Sequence, residues 1–282
     1  MTHLIKTGFD YDVSIETEFS GTDNAELYYK NRSKFGPSWA YYHPNITYKF
    51  NSFGYRMNKE LDDIDFDNYI AFFGCSFCVG TGLPLEDTYA YRISKELDVD
   101  YINGAMGGGS PKLVFNNLVT LFKNAPKLPK HVIINWPPIY RTMFWFENYT
   151  TFFGPNFSPN QTPAFKYWED TYNKLLIQET NILNEFDIIQ NNIKMLCDFA
   201  EVPLFEMSSN PGVGNNEEFF KKYSSVHQIR ISTTDIVDQT NIKQVNYELA
   251  RDVSESGTHP GIYHHQTVVD KFLMINSIKK NL

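Results

Sequence analysis

Three short apolar runs constrain this chain more than any other feature. Tyr69–Phe73, Tyr101–Asn103 and His131–Asn135 are each of strand length, and each stops at a turn of small residues or prolines. Between them lie stretches with helical spacing. One runs from about Asp87 to Leu97, and another starts at Pro111, with Leu113, Val114, Leu118 and Leu121 on one face. Strands with no polar alternation must be buried on both faces. When helices separate them, the economical solution is a parallel sheet covered on both sides, with right-handed connections.

Downstream, residues 142–164 are aromatic and rich in Asn and Pro, and they read as a long loop or cap insertion. Residues 165–200 carry helical spacing, and Val202–Met207 suits a fourth strand. Residues 208–250 are polar and show no clear period. Arg251–Gly261 reads as a loop before a final helix that reaches about Lys280. Residues 1–68 show no sustained period and suit short strands or an arm wrapped around the body.

Composition enters as a filter on function. Lys and Arg number 25 against 33 Asp and Glu, a formal charge of −8. Sequence-independent nucleic-acid binding needs clustered cations, so nucleic acid is not an expected partner. Three cysteines are too few for a disulfide framework. The first residues lack the apolar core of a secretion signal, and no stretch has membrane-spanning length. The expectation is a soluble, cytoplasmic protein without a membrane partner.

Three turns carry the candidate chemistry. In Phe73-Gly74-Cys75-Ser76-Phe77-Cys78-Val79-Gly80-Thr81-Gly82 a strand delivers a serine to a tight turn and a helix follows. A serine at the carboxyl end of a parallel strand points into the crevice where such sheets bind ligands. Its hydroxyl is a weak nucleophile until a histidine takes the proton. A plain strand-to-helix turn is the competing reading. Asn103-Gly104-Ala105-Met106-Gly107-Gly108-Gly109-Ser110 ends the second strand. Its glycines allow backbone N–H groups close to a ligand, although an ordinary turn needs the same residues. Arg251-Asp252-Val253-Ser254-Glu255-Ser256-Gly257-Thr258-His259-Pro260-Gly261 joins acids and a histidine in one loop. A carboxylate on the far imidazole nitrogen would fix the tautomer; a surface loop is the alternative. His264 and His265 belong to the following helix, and His259, His264 and His265 lack partner acids at metal-binding spacing.

Taken in order, these pieces resemble the SGNH hydrolases, the GDSL-type esterases and lipases. Gly74-Cys75-Ser76 stands where that family has Gly-Asp-Ser. Asn103 and Gly108 match its second block, and His259-Pro260 matches the end of its Asp-x-x-His-Pro block. Asn51-x-x-Gly54-Tyr55-Arg56 resembles a lead-in found upstream of the first strand.

The resemblance implies a flavodoxin-like three-layer α/β/α sandwich with a parallel central sheet, preceded by an N-terminal arm over residues 1–50. Residues 51–282 would form the hydrolase-like domain, with the cap insertion around 142–164. It implies a catalytic set of Ser76, His259 and Asp252 and an oxyanion hole from Ser76, Gly108 and Asn135. No cofactor and no metal are expected. The substrate would be a small-molecule or carbohydrate ester, with Trp136, Trp145, Phe146 and Tyr149 walling the cleft or packing in the core. The departures are Cys75 in place of Asp, the lack of a Gly-x-Asn-Asp block after the third strand, and Ser256 at the family's acid position. Asp252 lies seven residues before His259, and Glu255 is the second candidate acid. Two further readings stay open: a non-catalytic module with this fold, and a thiol redox protein using Cys75 and Cys78.

Overall fold

Strand β3 (Tyr69–Gly74) is buried at every position, because it lies inside a parallel sheet with helices on both faces. The computed structural model describes residues 16–19, 23–43, 46–145, 150–153, 179–207, 227–229, 249–253 and 259–280. In chain order the elements are β1 (Glu16–Thr17), α1 (Ala25–Phe35), β2 (Tyr48–Lys49), β3, α2 (Ser76–Val79), α3 (Tyr89–Leu97), β4 (Asp100–Asn103), α4 (Pro111–Asn124) and β5 (Val132–Asn135). They continue with β6 (Thr142–Trp145), β7 (Thr150–Phe153), α5 (Glu179–Phe199), β8 (Leu204–Met207), β9 (His227–Ile229) and α6 (Ile262–Lys280).

Among the described residues five strands form the central sheet in the order β4-β3-β5-β8-β9, and every pairing within it is parallel. The chain moves one way from β3 to β4 and the other way from β4 to β5. Right-handed crossovers in opposite directions put α3 and α4 on opposite faces. The packing agrees: α3 lies against α6, and α4 lies against α5. The result is the three-layer α/β/α sandwich that the sequence suggests.

Local signals explain the helix starts. Thr88 caps α3 by accepting from Tyr91 N–H, and Ser110 caps α4 by accepting from Leu113 N–H, with Pro111 in the first turn. Their apolar faces, Ile93 on α3 and Leu113, Leu118 and Leu121 on α4, are all buried. Each fully buried side chain of that size contributes about 1.5–3 kcal/mol.

The region before residue 68 holds more order than its sequence period suggests. Helix α1 starts at Asn24, whose side chain accepts from Leu27 N–H. It stops at Gly36, at φ 68°. These capping residues are a legible signal in a segment whose apolar spacing is weak. A second apolar cluster gathers Tyr28, Trp39, Tyr41 and Tyr48 with Leu83, Ala250 and Val253. Residues from the N-terminal fifty therefore pack directly on the chain after α2 and on the loop before α6.

One sequence expectation needs correction. Part of the segment read as a loop or cap is an antiparallel hairpin of β6 with β7, in which Thr142 faces Phe153 and Trp145 faces Thr150. Thr and aromatic residues favour that pleated pairing. Met143 of β6 packs with Met106 and Leu113, over the turn that follows β4. The rest of the expected cap, and most of the polar stretch from 208 to 248, lie outside the described residues. Within that stretch His227–Ile229 pairs with β8 and is the outermost strand on that side among the described residues. No helix among the described residues is long and apolar enough to cross a membrane.

Candidate active site

The nucleophile turn is built by a close approach. A Cβ on Gly74 would stand 2.6 Å from the Asn135 carbonyl oxygen and 2.8 Å from Cys78 Cβ. Only glycine lets β3 leave the sheet so near both β5 and α2. Cys75 is extended, and Ser76 is the first residue of the one-turn helix α2. The turn closes through Cys78 N–H and Val79 N–H donating to Cys75 O at 2.9 and 3.0 Å, and Gly80 N–H donating to Ser76 O at 3.0 Å. Ser76 is buried, 6% exposed.

Arg56 fixes the far end of this helix. Its guanidinium donates to Val79 O at 3.2 Å, Gly80 O at 2.6 Å and Leu83 O at 2.6 Å. Carbonyls left open at a helix C-terminus attract a cation. Arg56 also lies over the Tyr48 ring, 4.2 Å from its centroid. The preceding turn aims it: Asn51 Oδ1 accepts from Phe53 and Tyr55 N–H, and Gly54 N–H donates to Asn51 O. Tyr55 hydroxyl accepts from Asn117 Nδ2, which also donates to Gly104 O. The lead-in motif thus supports both glycine-rich turns from beneath.

The turn after β4 lies against the β3 exit, where Met106 N–H donates to Gly74 O at 3.3 Å. Asn103 Nδ2 donates to Cys78 O at 3.3 Å, and its Oδ1 accepts from Ala105 N–H and from the Cys78 thiol. Asn103 therefore fastens α2 to this turn. Gly108 adopts φ 74° within it. Asn135 ends β5 opposite Gly74; its Nδ2 donates to the Tyr89 hydroxyl at 3.4 Å, and the residue is buried.

Asp252 and His259 meet despite their long spacing. Ala250 N–H donates to His259 O at 2.9 Å, and Leu249 bridges Pro260 in antiparallel fashion. The two stems of the loop pair and bring position 252 opposite position 259. Asp252 Oδ2 is hydrogen-bonded to His259 Nδ1, and Oδ1 accepts from His259 backbone N–H at 3.3 Å. Glu255, the other candidate acid, lies outside the described residues. The imidazole packs edge-on against Phe77, 5.5 Å between centroids, which sets it beside the residue that follows Ser76.

Other groups resolve into structural roles. His265 Nδ1 accepts from Tyr89 N–H at 2.9 Å, which satisfies an open donor in the first turn of α3. Burial holds the His265 pKa well below the usual imidazole range; nearby charges, His264 first, lower it further. Burial, helped by the Lys271 charge, lowers the His264 pKa to about 4. Trp136 is wholly buried. Its indole N–H donates to Glu206 Oε1 at 2.8 Å and its ring meets Phe186 edge-on. Of the two roles expected for Trp136, cleft wall or core, it takes the core. Phe146 and Tyr149 lie outside the described residues, as does the side chain of Trp145. Cys75, Cys78 and Cys197 are free and buried. Burial pushes the Cys78 thiol pKa up, the opposite of what a redox thiolate needs. Among the described residues no cluster of His, Cys, Asp and Glu could hold a metal ion.

Sequence reasoning missed the residues that carry the acid loop: Asp23, Asn31, Tyr48 and Arg251. Asp23 and Arg251 stand 228 positions apart, so no local spacing announces them.

No family model matches this chain, and no curated protein does. Solved structures similar to it include the psychrotrophic esterase EstA from Pseudoalteromonas sp., at 14% identity and a TM-score of 0.43, covering 76% of this chain and 98% of that one. Another is a member of the lipolytic G-D-S-L family from Veillonella parvula, at 13% identity and a TM-score of 0.44, covering 73% and 97%. A third is an acetyl xylan esterase from the rumen bacterium Butyrivibrio proteoclasticus, at 12% identity and a TM-score of 0.40, covering 80% and 66%.

Proposed function

We propose that this chain is a serine ester hydrolase that removes an acyl group through Ser76, His259 and Asp252. The observation that carries the reading is the Asp252–His259 couple beside the helix that begins with Ser76. In this reading His259 takes the Ser76 proton as Oγ attacks the acyl carbonyl. Asp252 holds Nδ1, which assigns the base role to Nε2, and it stabilises the imidazolium that forms. The imidazolium then gives its proton to the departing alcohol. Water, activated by the same imidazole, releases the acid from the acyl-enzyme.

The oxyanion is held by the N–H groups of Ser76 and Gly108. Asn135 is the third expected donor, and its amide nitrogen, which carries two protons, also donates to the Tyr89 hydroxyl. Losing one such donor typically costs about 10²–10³ in rate. Cys75 sits where the resembled family has an acid, but that position is not part of the Ser-His-Asp relay. With Trp136 in the core, a sugar-stacking wall loses one of its expected members. The acyl group and the alcohol are therefore best identified by screening short-chain aryl esters beside O-acetylated sugars.

A fluorophosphonate probe tests the reading. Covalent labelling of the wild type and none of Ser76→Ala or His259→Ala is the expected result. A folded wild type that takes no label and hydrolyses no ester would leave the non-catalytic module as the reading.

A further inference from the structure

Asp252 is held from outside its own loop. Asn31 Nδ2 donates to Arg251 O at 3.2 Å and to Val253 O at 2.8 Å, so one amide from α1 grips the carbonyls of the two residues that flank Asp252. The Arg251 side chain runs back the same way. Its Nε and a terminal nitrogen donate to Asp23 Oδ2 at 2.9 and 2.6 Å, and it also reaches Glu18 O. Both partners of this ion pair are sealed from solvent. The guanidinium lies 4.1 Å from the Phe19 ring centroid. Asp23 Oδ2 also accepts the Tyr48 hydroxyl at 2.6 Å, and that hydroxyl accepts Gly82 N–H at 2.6 Å.

Tyr48 is the junction. One guanidinium beside its ring, Arg56, clamps the carbonyls that end the Ser76 helix; the other, Arg251, precedes Asp252. Its hydroxyl joins Gly82, six residues past Ser76, to the Asp23–Arg251 pair. Gly82 itself adopts φ 82°, and a Cβ there would stand 2.6 Å from Ala250 Cβ. The nucleophile turn and the acid loop therefore touch, and the hydrogen bonds across their contact come from the N-terminal segment.

We propose that Asp23, Asn31 and Tyr48 are positioning residues for the catalytic set, forming a brace that fixes Asp252 and the Ser76 turn in mutual register. The inference rests on the hydrolase reading for its consequence in rate. A buried ion pair is a poor source of net stability, because apolar residues of similar volume often serve as well. Its distinct contribution is fixed geometry, and a reacting group misplaced by about 1 Å can lose about 100-fold in rate. Burial, with the Asp23 charge adding to it, keeps the Tyr48 phenol protonated, so it donates to Asp23 across the working pH range.

The test uses the full chain with Asn31→Leu, which removes the grip at similar volume, and Tyr48→Phe, which removes one oxygen and keeps the ring. Two readouts are taken: fluorophosphonate labelling rate, and the downfield proton resonance of His259 Nδ1, assigned by its loss in Asp252→Asn. We expect both variants to fold and to label about 10–100-fold more slowly. The Nδ1 resonance should move or broaden. Folded variants with wild-type rate and resonance would overturn the brace. Should Asn31→Leu not fold, Tyr48→Phe alone decides. A wild type that shows the Asp252-dependent resonance but takes no label overturns the hydrolase reading, and the resonance in the variants still judges the brace. A wild type with neither signal overturns both.

Discussion

The carboxylate of Asp252 holds His259 at two points, the ring Nδ1 through Oδ2 and the backbone N–H through Oδ1. One contact sets the tautomer, and the other sets where the imidazole hangs on its loop. Seven residues separate the pair, yet the paired stems of the loop make them neighbours. Replacing Asp252 with Asn keeps the shape but presents an amide to Nδ1 and favours the wrong tautomer. Labelling of Ser76 by fluorophosphonate should fall about 10²–10⁴-fold, with little change in melting temperature. An unchanged labelling rate would remove Asp252 from the relay.

Arg56 is expected to matter for stability before it matters for rate. Arg56→Met removes the guanidinium from three buried carbonyls, of which Gly80 O keeps Leu83 N–H at 3.2 Å. Each unsatisfied group costs about 1–3 kcal/mol, partly offset because the buried charge goes too. A net loss of about 2–4 kcal/mol in urea unfolding is expected. Arg56→Lys should recover only part of it, since one ammonium cannot span the positions a guanidinium fork reaches.

The buried histidines of α6 set an acid limit on stability. Both have depressed pKa values, His264 to about 4. Above pH 6.5 they are neutral in the folded and unfolded states, and stability does not depend on them. Below pH 6.5 the unfolded chain takes up protons that the folded chain excludes, so unfolding becomes easier as pH falls toward 4. His264 alone should remove on the order of 3 kcal/mol across that window. Urea midpoints measured between pH 7 and 4.5 should fall steadily, and His264→Gln should flatten the slope. A slope unchanged in that variant would assign the acid limit elsewhere.

The thiols should be silent in the native state. Cys75, Cys78 and Cys197 are buried, and burial raises Cys197 to about 12. A thiol reagent at pH 8 should find almost no reactive cysteine in the folded protein and three after unfolding. Cys78→Ala should still label at Ser76. Fast native reaction at Cys75 or Cys78 would revive the redox reading.

The three glycine-rich or proline-bounded turns and the unalternating strands before them were legible in the chain itself. Tyr69–Phe73 has no polar face, so it had to be buried on both sides, and the sheet followed from that. Pro111 after Ser110 announced its helix, and Gly74 beside Ser76 announced a tight exit. Helix α1 went unread in a segment expected to hold short strands or an arm, because its apolar face is too weak to show a period; its caps, Asn24 and Gly36, were the signal it offered. The β6–β7 hairpin hid in a segment whose aromatic and Asn content suited a loop equally well.

What the sequence determined by itself was local: strand burial, helix caps and the order of the turns, because backbone preference and side-chain period act within a few residues. The tertiary structure alone decided which acid meets His259, that Trp136 belongs to the core, and that Asp23, Asn31 and Tyr48 stand behind Asp252. Those contacts join positions far apart along the chain. Their geometry is fixed by packing and by buried polar groups that must find partners, and no spacing in the sequence records it.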